Sequence, residues 1–228
     1  MKKVILNLGH RVLAILPPKW LITTLFRLDR ILYYLQQQAA IRYGDGLHPK
    51  HRLINYHQFF INRVSADDTV LDIGCGVGAL AHSMAQTGAL VTGIDYNKKS
   101  LDQAKSQFKH DNIQFLYGDV LETEFEKPFD VVVMSNVLEH IPPDRPTFLL
   151  RVTQSVKPKR WLIRVPLFER DWRVPLKKEL GLDYRLDPTH YIEYTQEIFA
   201  EEMDMAELEI SHLEIRWGEI WAELQVKV

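Results

Sequence analysis

From residue 69 onward the apolar positions of this chain switch repeatedly between two periods. Short apolar runs over residues 69–73, 89–95, 112–117, 129–135 and 160–166 have the length and β-branched content of buried strands. Segments of helical spacing lie between or after them, over residues 79–85, 97–108, 146–156 and 195–205, the last opened by Thr195 as a helix cap. Strand and helix in alternation predict an α/β fold, a doubly wound sheet with helices on both faces. Residues 208–216 and 219–226 alternate with the period of half-buried strands and predict a C-terminal antiparallel hairpin, bringing the sheet to seven strands. Residues 167–190 follow neither period, and an excursion of that length within a compact domain tends to be functional.

The first 45 residues form a different pattern. Val4, Ile5, Leu8, Val12, Ile15 and Leu16 recur at helical spacing, Pro17-Pro18 interrupts, and Leu21, Ile22, Leu25, Leu28, Leu32 and Leu35 resume it. Residues 1–35 carry a net charge of +5 and the remainder −7, so the extension is basic and apolar while the rest is acidic. His10-Arg11 and Pro17-Pro18-Lys19 break the apolar runs too early for a bilayer span, and no secretory cleavage pattern follows. Two such helices suit peripheral contact with an anionic membrane through residues 1–35, or equally a cap over the core that lines a substrate pocket. The organisation expected is therefore an N-terminal helical extension over 1–45 and one catalytic domain over 46–228, with an insert at about 167–190. Residues 43–49 read as a linker and 51–63 as a helix, on or beside which His48, His51, Arg52, Tyr56 and His57 are candidates to reach a ligand.

Composition changes this picture little. Hydrophobic residues at 46% and charged residues at 25% fit an ordinary globular chain, and a net charge of −2 gives no electrostatic case for nucleic acid. A single cysteine, Cys75, excludes an internal disulfide and fits a reducing, cytoplasmic compartment.

The chemistry concentrates where the first strand meets its helix, at Asp72-Ile73-Gly74-Cys75-Gly76-Val77-Gly78. Strand, glycine turn and helix in that order offer bare backbone N–H groups to a ligand, and a glycine lets a flat ligand approach the backbone. The glycines alone also fit a dinucleotide fingerprint, with Asp95 at a suitable distance, so an NAD(P)-binding oxidoreductase is an alternative. Asp72 separates the two: a carboxylate before the turn repels a pyrophosphate and attracts a cation. With Asp72 in place the stretch resembles motif I of the class I S-adenosylmethionine-dependent methyltransferases, whose donor has an ammonium and a sulfonium but no phosphate. Asn136-Val137-Leu138-Glu139-His140-Ile141 is similar to motif IV of the small-molecule branch, in particular of the ubiquinone-biosynthesis O-methyltransferases.

That resemblance implies a Rossmann-like sheet, S-adenosylmethionine as cosubstrate, and a small-molecule acceptor, lipid-linked or sugar-like, methylated on oxygen. It implies cofactor contacts from Asp72, Gly74, Cys75, Gly76 and Gly78 at the amino-acid end. It further implies Asp95 on the ribose hydroxyls, Tyr96 against the adenine, Asp119 and Val120 at the adenine edge, and Asn136 beside the methyl donor. His140 and His190 become candidate bases, and Glu139 a residue that orients a histidine or binds acceptor. Some relatives carry two acids and a histidine here that hold a divalent metal. Asn136 stands in place of the first acid, and one carboxylate with one histidine is too few for Mg²⁺ without substrate oxygens, so no metal site is assigned. A catalytically silent module that binds the cofactor is a further alternative.

Overall fold

The computed structural model describes residues 15–46 and 48–227, with His51 and Arg52 described by backbone alone. The expected helix over residues 4–16 falls almost wholly outside this range. The chain divides into two compact units, Met1–Asn55 with Trp172–Tyr184, and Tyr56–Asp171 with Arg185–Val228.

In the smaller unit, helix α1 (Pro18–Tyr43) starts on a proline whose missing N–H costs nothing in a first turn. It runs without interruption past the last of the spaced leucines, and Phe26 is its one buried side chain. Near it lies helix α6 (Arg173–Glu179) of the same unit, whose Arg173 reaches Asp29 at 3.4 Å and whose Lys177 sits 5.2 Å from the Phe26 ring. Leu25, Leu28, Leu32 and Leu35 remain about half exposed. The helix expected over residues 51–63 is not continuous. A π-helical turn (Lys50–Ile54) ends at Asn55, which turns left-handed with φ 47°, and only Gln58–Ile61 (α2) is α-helical. Asparagine tolerates that conformation, and a left-handed residue breaks the hydrogen-bond ladder that apolar spacing alone would predict.

The larger unit holds a seven-stranded sheet in the order β3-β2-β1-β4-β5-β7-β6. Strands β1 (Thr69–Ile73), β2 (Leu90–Asp95), β3 (Ile113–Tyr117), β4 (Val131–Ser135) and β5 (Arg160–Pro166) are parallel. β6 (Leu208–Arg216) and β7 (Glu219–Val226) form the antiparallel hairpin, and β7 docks on β5. The pleat sends alternate side chains to opposite faces, and each face has its own core. Val70, Val131, Val133 and Leu162 pack with α2, α3 (Ala79–Ala85) and α4 (Lys98–Gln107). Leu71, Val132, Met134 and Ile163 pack with α5 (Arg145–Val156) and α7 (Gln196–Met205). Asn97 and Thr195 cap α4 and α7, each accepting a backbone N–H at 3.2 Å. The predicted α/β architecture and C-terminal hairpin are therefore those observed. Gly78, at φ 78°, is where α3 starts, and a Cβ there would lie 2.6 Å from the Phe115 ring, so packing alone demands glycine.

One buried polar cluster ties the second face together. Arg145 of α5 gives its Nε–H to both carboxylate oxygens of Glu202 on α7 at 3.0 and 3.1 Å, and the Tyr194 hydroxyl donates to Glu202 at 2.7 Å. Replacing Arg145 with alanine strands a mostly buried carboxylate. The expected loss is about 3 kcal/mol in urea unfolding, most of it recovered in Arg145→Met/Tyr194→Phe/Glu202→Leu, which leaves no member of the cluster without a partner.

Candidate active site at the carboxyl ends of the strands

β1 leaves the sheet at Gly74, and backbone bonds to β2 shape the turn that follows. Gly74 and Cys75 donate their N–H groups to the Ile94 carbonyl at 2.8 and 3.2 Å, and Gly76 donates to an Asp95 carboxylate oxygen at 2.8 Å. The other Asp95 oxygen accepts from the Asn97 N–H at 2.7 Å. Asp95 thus builds the turn as well as facing the site, a double use that its sequence position does not reveal. Gly76 lies at φ 55°, and a Cβ built there meets nothing within 4 Å. Open space over bare backbone at Gly76 leaves room for a ligand pressed against the turn, whereas Gly78 answers to packing. Cys75 packs against Gly93, and burial, then Asp72 and Asp95, push its thiol well above the ordinary range, leaving it inert.

Asp72 is 2% exposed, and its Oδ2 has no hydrogen-bond partner. Burial, helped by nearby Asp95, pushes its carboxyl up to about 8. A group so placed is held protonated at neutral pH until a cation arrives beside it. Around the rest of the expected cofactor site, Tyr96 is 79% exposed and Asp119 is exposed, with one carboxylate oxygen accepting from the Leu121 N–H at 2.8 Å. The Val120 side chain is buried in the core of the second face, which leaves its backbone as the part able to meet a ligand.

A second cluster forms after β4. Asn136 turns left-handed at φ 56°, its N–H bonded to the Arg164 carbonyl at 2.8 Å, and strain of this kind gathers at functional sites. The turn places Glu139 and His140 in a short 3₁₀ segment (Leu138–His140), and the long excursion brings His190 to them. The rings of His140 and His190 meet edge-on with centroids 4.6 Å apart. Each Nδ1 is held from behind, His140 by the Thr189 hydroxyl and His190 by Glu193, both at 2.9 Å. Glu193 is fixed in turn by the Leu186 N–H at 2.7 Å and by Arg170. Neither oxygen of the buried Glu139 has a partner in full hydrogen-bond geometry. Burial drives its carboxyl up to about 7, against the opposing pull of its own N–H, His190, Arg164 and Asn136. His140 is shifted below the usual imidazole range, by burial first and then by His190.

Glu139, His140 and His190 each offer one ligand atom, all within 4.8 Å of one another. Two imidazoles and a carboxylate form a donor set suited to a borderline ion such as Zn²⁺ more than to Mg²⁺. Spacing along the chain does not bring this set together, because His190 lies fifty residues beyond His140. Other residues went unnoticed altogether. Glu193 carries no local signal, whereas Arg164 does: it is a charge within the apolar run Trp161-Leu162-Ile163-Arg164-Val165. Of the residues before β1, His57 holds the Ser83 hydroxyl at 2.8 Å and Tyr56 lies against Arg164, while His48 accepts the Lys50 N–H. A cavity of about 210 Å³ beside Leu90 and Gln114 lies at the opposite ends of the strands, away from all of this.

The strand order, the acid before the glycine turn and the acid ending β2 together resemble those of the class I S-adenosylmethionine-dependent methyltransferases. Residues 70–159 match the methyltransferase domain family. The chain is 36% identical over 145 residues to a ubiquinone biosynthesis O-methyltransferase of Chromobacterium violaceum, covering 61% of this chain and 62% of that protein. It is 35% identical over 156 residues to the protein of the same name in Nitrosomonas europaea, covering 66% and 65%. The chain thus spans less than two thirds of the length of these relatives. Its fold also matches magnesium protoporphyrin IX methyltransferase of Synechocystis, solved with S-adenosylhomocysteine, at a TM-score of 0.61 and 19% identity, over 84% of this chain and 87% of that one. A methyltransferase of Methanosarcina mazei gives 0.59 at 21% identity, over 74% and 97%.

The titration of Asp72 gives a test with a definite sign. Its folded pKa is raised from 3.8 to about 8, so the native state holds a proton that the unfolded chain has released. Stability contributed by that proton is present at low pH and lost as pH rises from about 4 to about 8. In thermal melts without ligand, Asp72→Asn gains on the wild type steadily from pH 5 to pH 8; a constant difference would refute the assignment.

Proposed function

We propose that this protein binds S-adenosylmethionine on the glycine turn and transfers its methyl group to an oxygen of a small-molecule acceptor. The observation that carries this reading is a buried, unpartnered Asp72 beside open backbone at Gly76. A cation draws off the Asp72 proton and satisfies the carboxylate, whereas a pyrophosphate would only hold that carboxyl protonated and would face the Asp95 carboxylate as well, which disfavours a dinucleotide. The names of the relatives and the acidic charge of the domain support a small molecule over nucleic acid.

The donor supplies an already activated methyl group, so the chain contributes orientation, exclusion of water and removal of a proton. Asp72 takes the cationic end of the amino-acid tail, and Asp95 offers its remaining lone pairs to the ribose. Tyr96 and the Val120 backbone flank the adenine, with Asp119 at its edge. His140, kept neutral by its surroundings, accepts the proton of the acceptor hydroxyl, and Thr189 behind it fixes the ring. His190, oriented by Glu193, sets the other wall, and Glu139 steadies the imidazolium that forms. If a metal sits on Glu139, His140 and His190, it supplies Lewis acidity to the acceptor oxygen, and these three side chains are its ligands.

The exposed leucines of α1 support a further element, peripheral contact of the extension with an anionic bilayer. No described helix is long and apolar enough to cross one. Leu28→Glu/Leu32→Glu should abolish flotation with phosphatidylglycerol vesicles; unchanged flotation, or none by the wild type, sinks that element.

Calorimetry with S-adenosylhomocysteine tests the main reading. The wild type binds and releases close to one proton at pH 7, seen as a dependence of heat on buffer ionisation, because the ligand ammonium lowers the Asp72 pKa. Asp72→Asn binds more weakly and releases none. Gly76→Ala loses at least tenfold in affinity while stability changes by only about 1 kcal/mol. Wild-type protein that gives no heat with either the donor or its demethylated product overturns the proposal.

A further inference from the structure

Arg164 is a cation with more hydrogen-bonding capacity than its surroundings use. It sits on β5 opposite Ser135 of β4, at the level where the sheet opens into the site, on the face shared with Asp72. Its side chain is 9% exposed. Nη2 reaches Glu219 at 3.2 Å, longer than a strong charge-assisted bond, and neither Nε nor Nη1 has any acceptor. The Tyr56 and Trp221 rings lie 4.5 and 4.9 Å from the guanidinium carbon. These flat walls hold the group in place without using its N–H bonds. Leaving such donors buried and unpaired is costly, and a Trp or Leu at this position would continue the apolar strand more cheaply. The cost is explained when a ligand supplies the missing acceptors.

We propose that Arg164 is the anchor for a ligand carboxylate in this site. The chemistry of the surroundings selects a monoanionic, planar group. One guanidinium already shared with Glu219, with Glu139 and Asp72 in electrostatic reach of Arg164 or of its neighbour Tyr56, disfavours a phosphate dianion. A carboxylate matches the fork of the guanidinium and needs no second cation. Two molecules in the reaction proposed above can bring one, the amino-acid tail of the methyl donor and an acidic acceptor. Tyr56 touches Arg164 and is within electrostatic reach of Asp72 too, so the two groups are near enough for a tail whose ammonium meets Asp72 to bring its carboxylate to Arg164. An acceptor lying over the ends of β4 and β5 meets the same guanidinium from the Glu139 side. This inference rests on the proposed cofactor site only for the first source.

The test compares the wild type with Arg164→Met/Glu219→Gln, which removes both charges of the pair and leaves no stranded carboxylate. Melting temperature shows that the variant folds, and Arg164→Lys is the partner variant if it does not. Calorimetry is run with S-adenosylhomocysteine, with its decarboxylated analogue, and with benzoate as a carboxylate probe for the acceptor side. If the donor brings the carboxylate, the variant loses at least about tenfold for S-adenosylhomocysteine. It binds the decarboxylated analogue as the wild type does. If the acceptor brings it, both nucleoside ligands bind equally to the two proteins, while benzoate binds the wild type only. Equal binding of all three ligands, or no benzoate binding by either protein alongside unchanged nucleoside affinities, overturns the proposal. Failure of S-adenosylhomocysteine to bind the wild type instead defeats the cofactor site, and benzoate then decides Arg164 by itself.

Discussion

The hydrogen bond from the Gly76 N–H to the Asp95 carboxylate is the constraint on which the arrangement of this site depends. It ties the exit of β1 to the end of β2, together with the two bonds to the Ile94 carbonyl, and holds the glycine turn open. A turn fixed in this way presents backbone rather than side chain to whatever lies above it. It also brings Asp95 close enough to Asp72 to raise its proton affinity, so the same contact shapes the turn and sets the charge state beneath it.

Two sets of buried polar groups in the larger unit contrast. Arg145, Glu202 and Tyr194 satisfy one another and lock helices α5 and α7 over the second face. Asp72, Asn136, Glu139 and Arg164 keep atoms without partners, and all four sit at or just beyond the carboxyl ends of β1, β4 and β5. A folded chain tolerates unpaired groups of this kind where a ligand completes them. Four such residues at one edge of the sheet give a ligand several polar atoms to meet there.

The pairing of His140 with His190 extends the same division. Each ring has a partner behind Nδ1, the Thr189 hydroxyl in one case and Glu193 in the other. Support of this sort fixes tautomer and orientation, which a base or a metal ligand needs alike. It comes from Thr189 within the excursion after β5 and from Glu193 just beyond it, so a stretch with no periodicity organises half of this cluster.

The alternation of apolar runs determined the sheet, its order of elements and the closing hairpin, because burial on a pleat or a helix imposes a period that a sequence must show. The positions of the acid before the glycines and of the acids at or just after the ends of β2 and β3 were legible for a related reason: parallel strands bring their carboxyl ends to one edge of the sheet. Sequence spacing could not reveal the left-handed break at Asn55, the packing demand at Gly78 as against the open space at Gly76, or the meeting of His140 with His190. The first is a backbone choice that apolar spacing does not encode, and the others depend on which atoms lie across from one another after folding, at separations of tens of residues. Arg164 stood in plain view as a charge in an apolar strand, but only the tertiary structure decided that its donors lack acceptors.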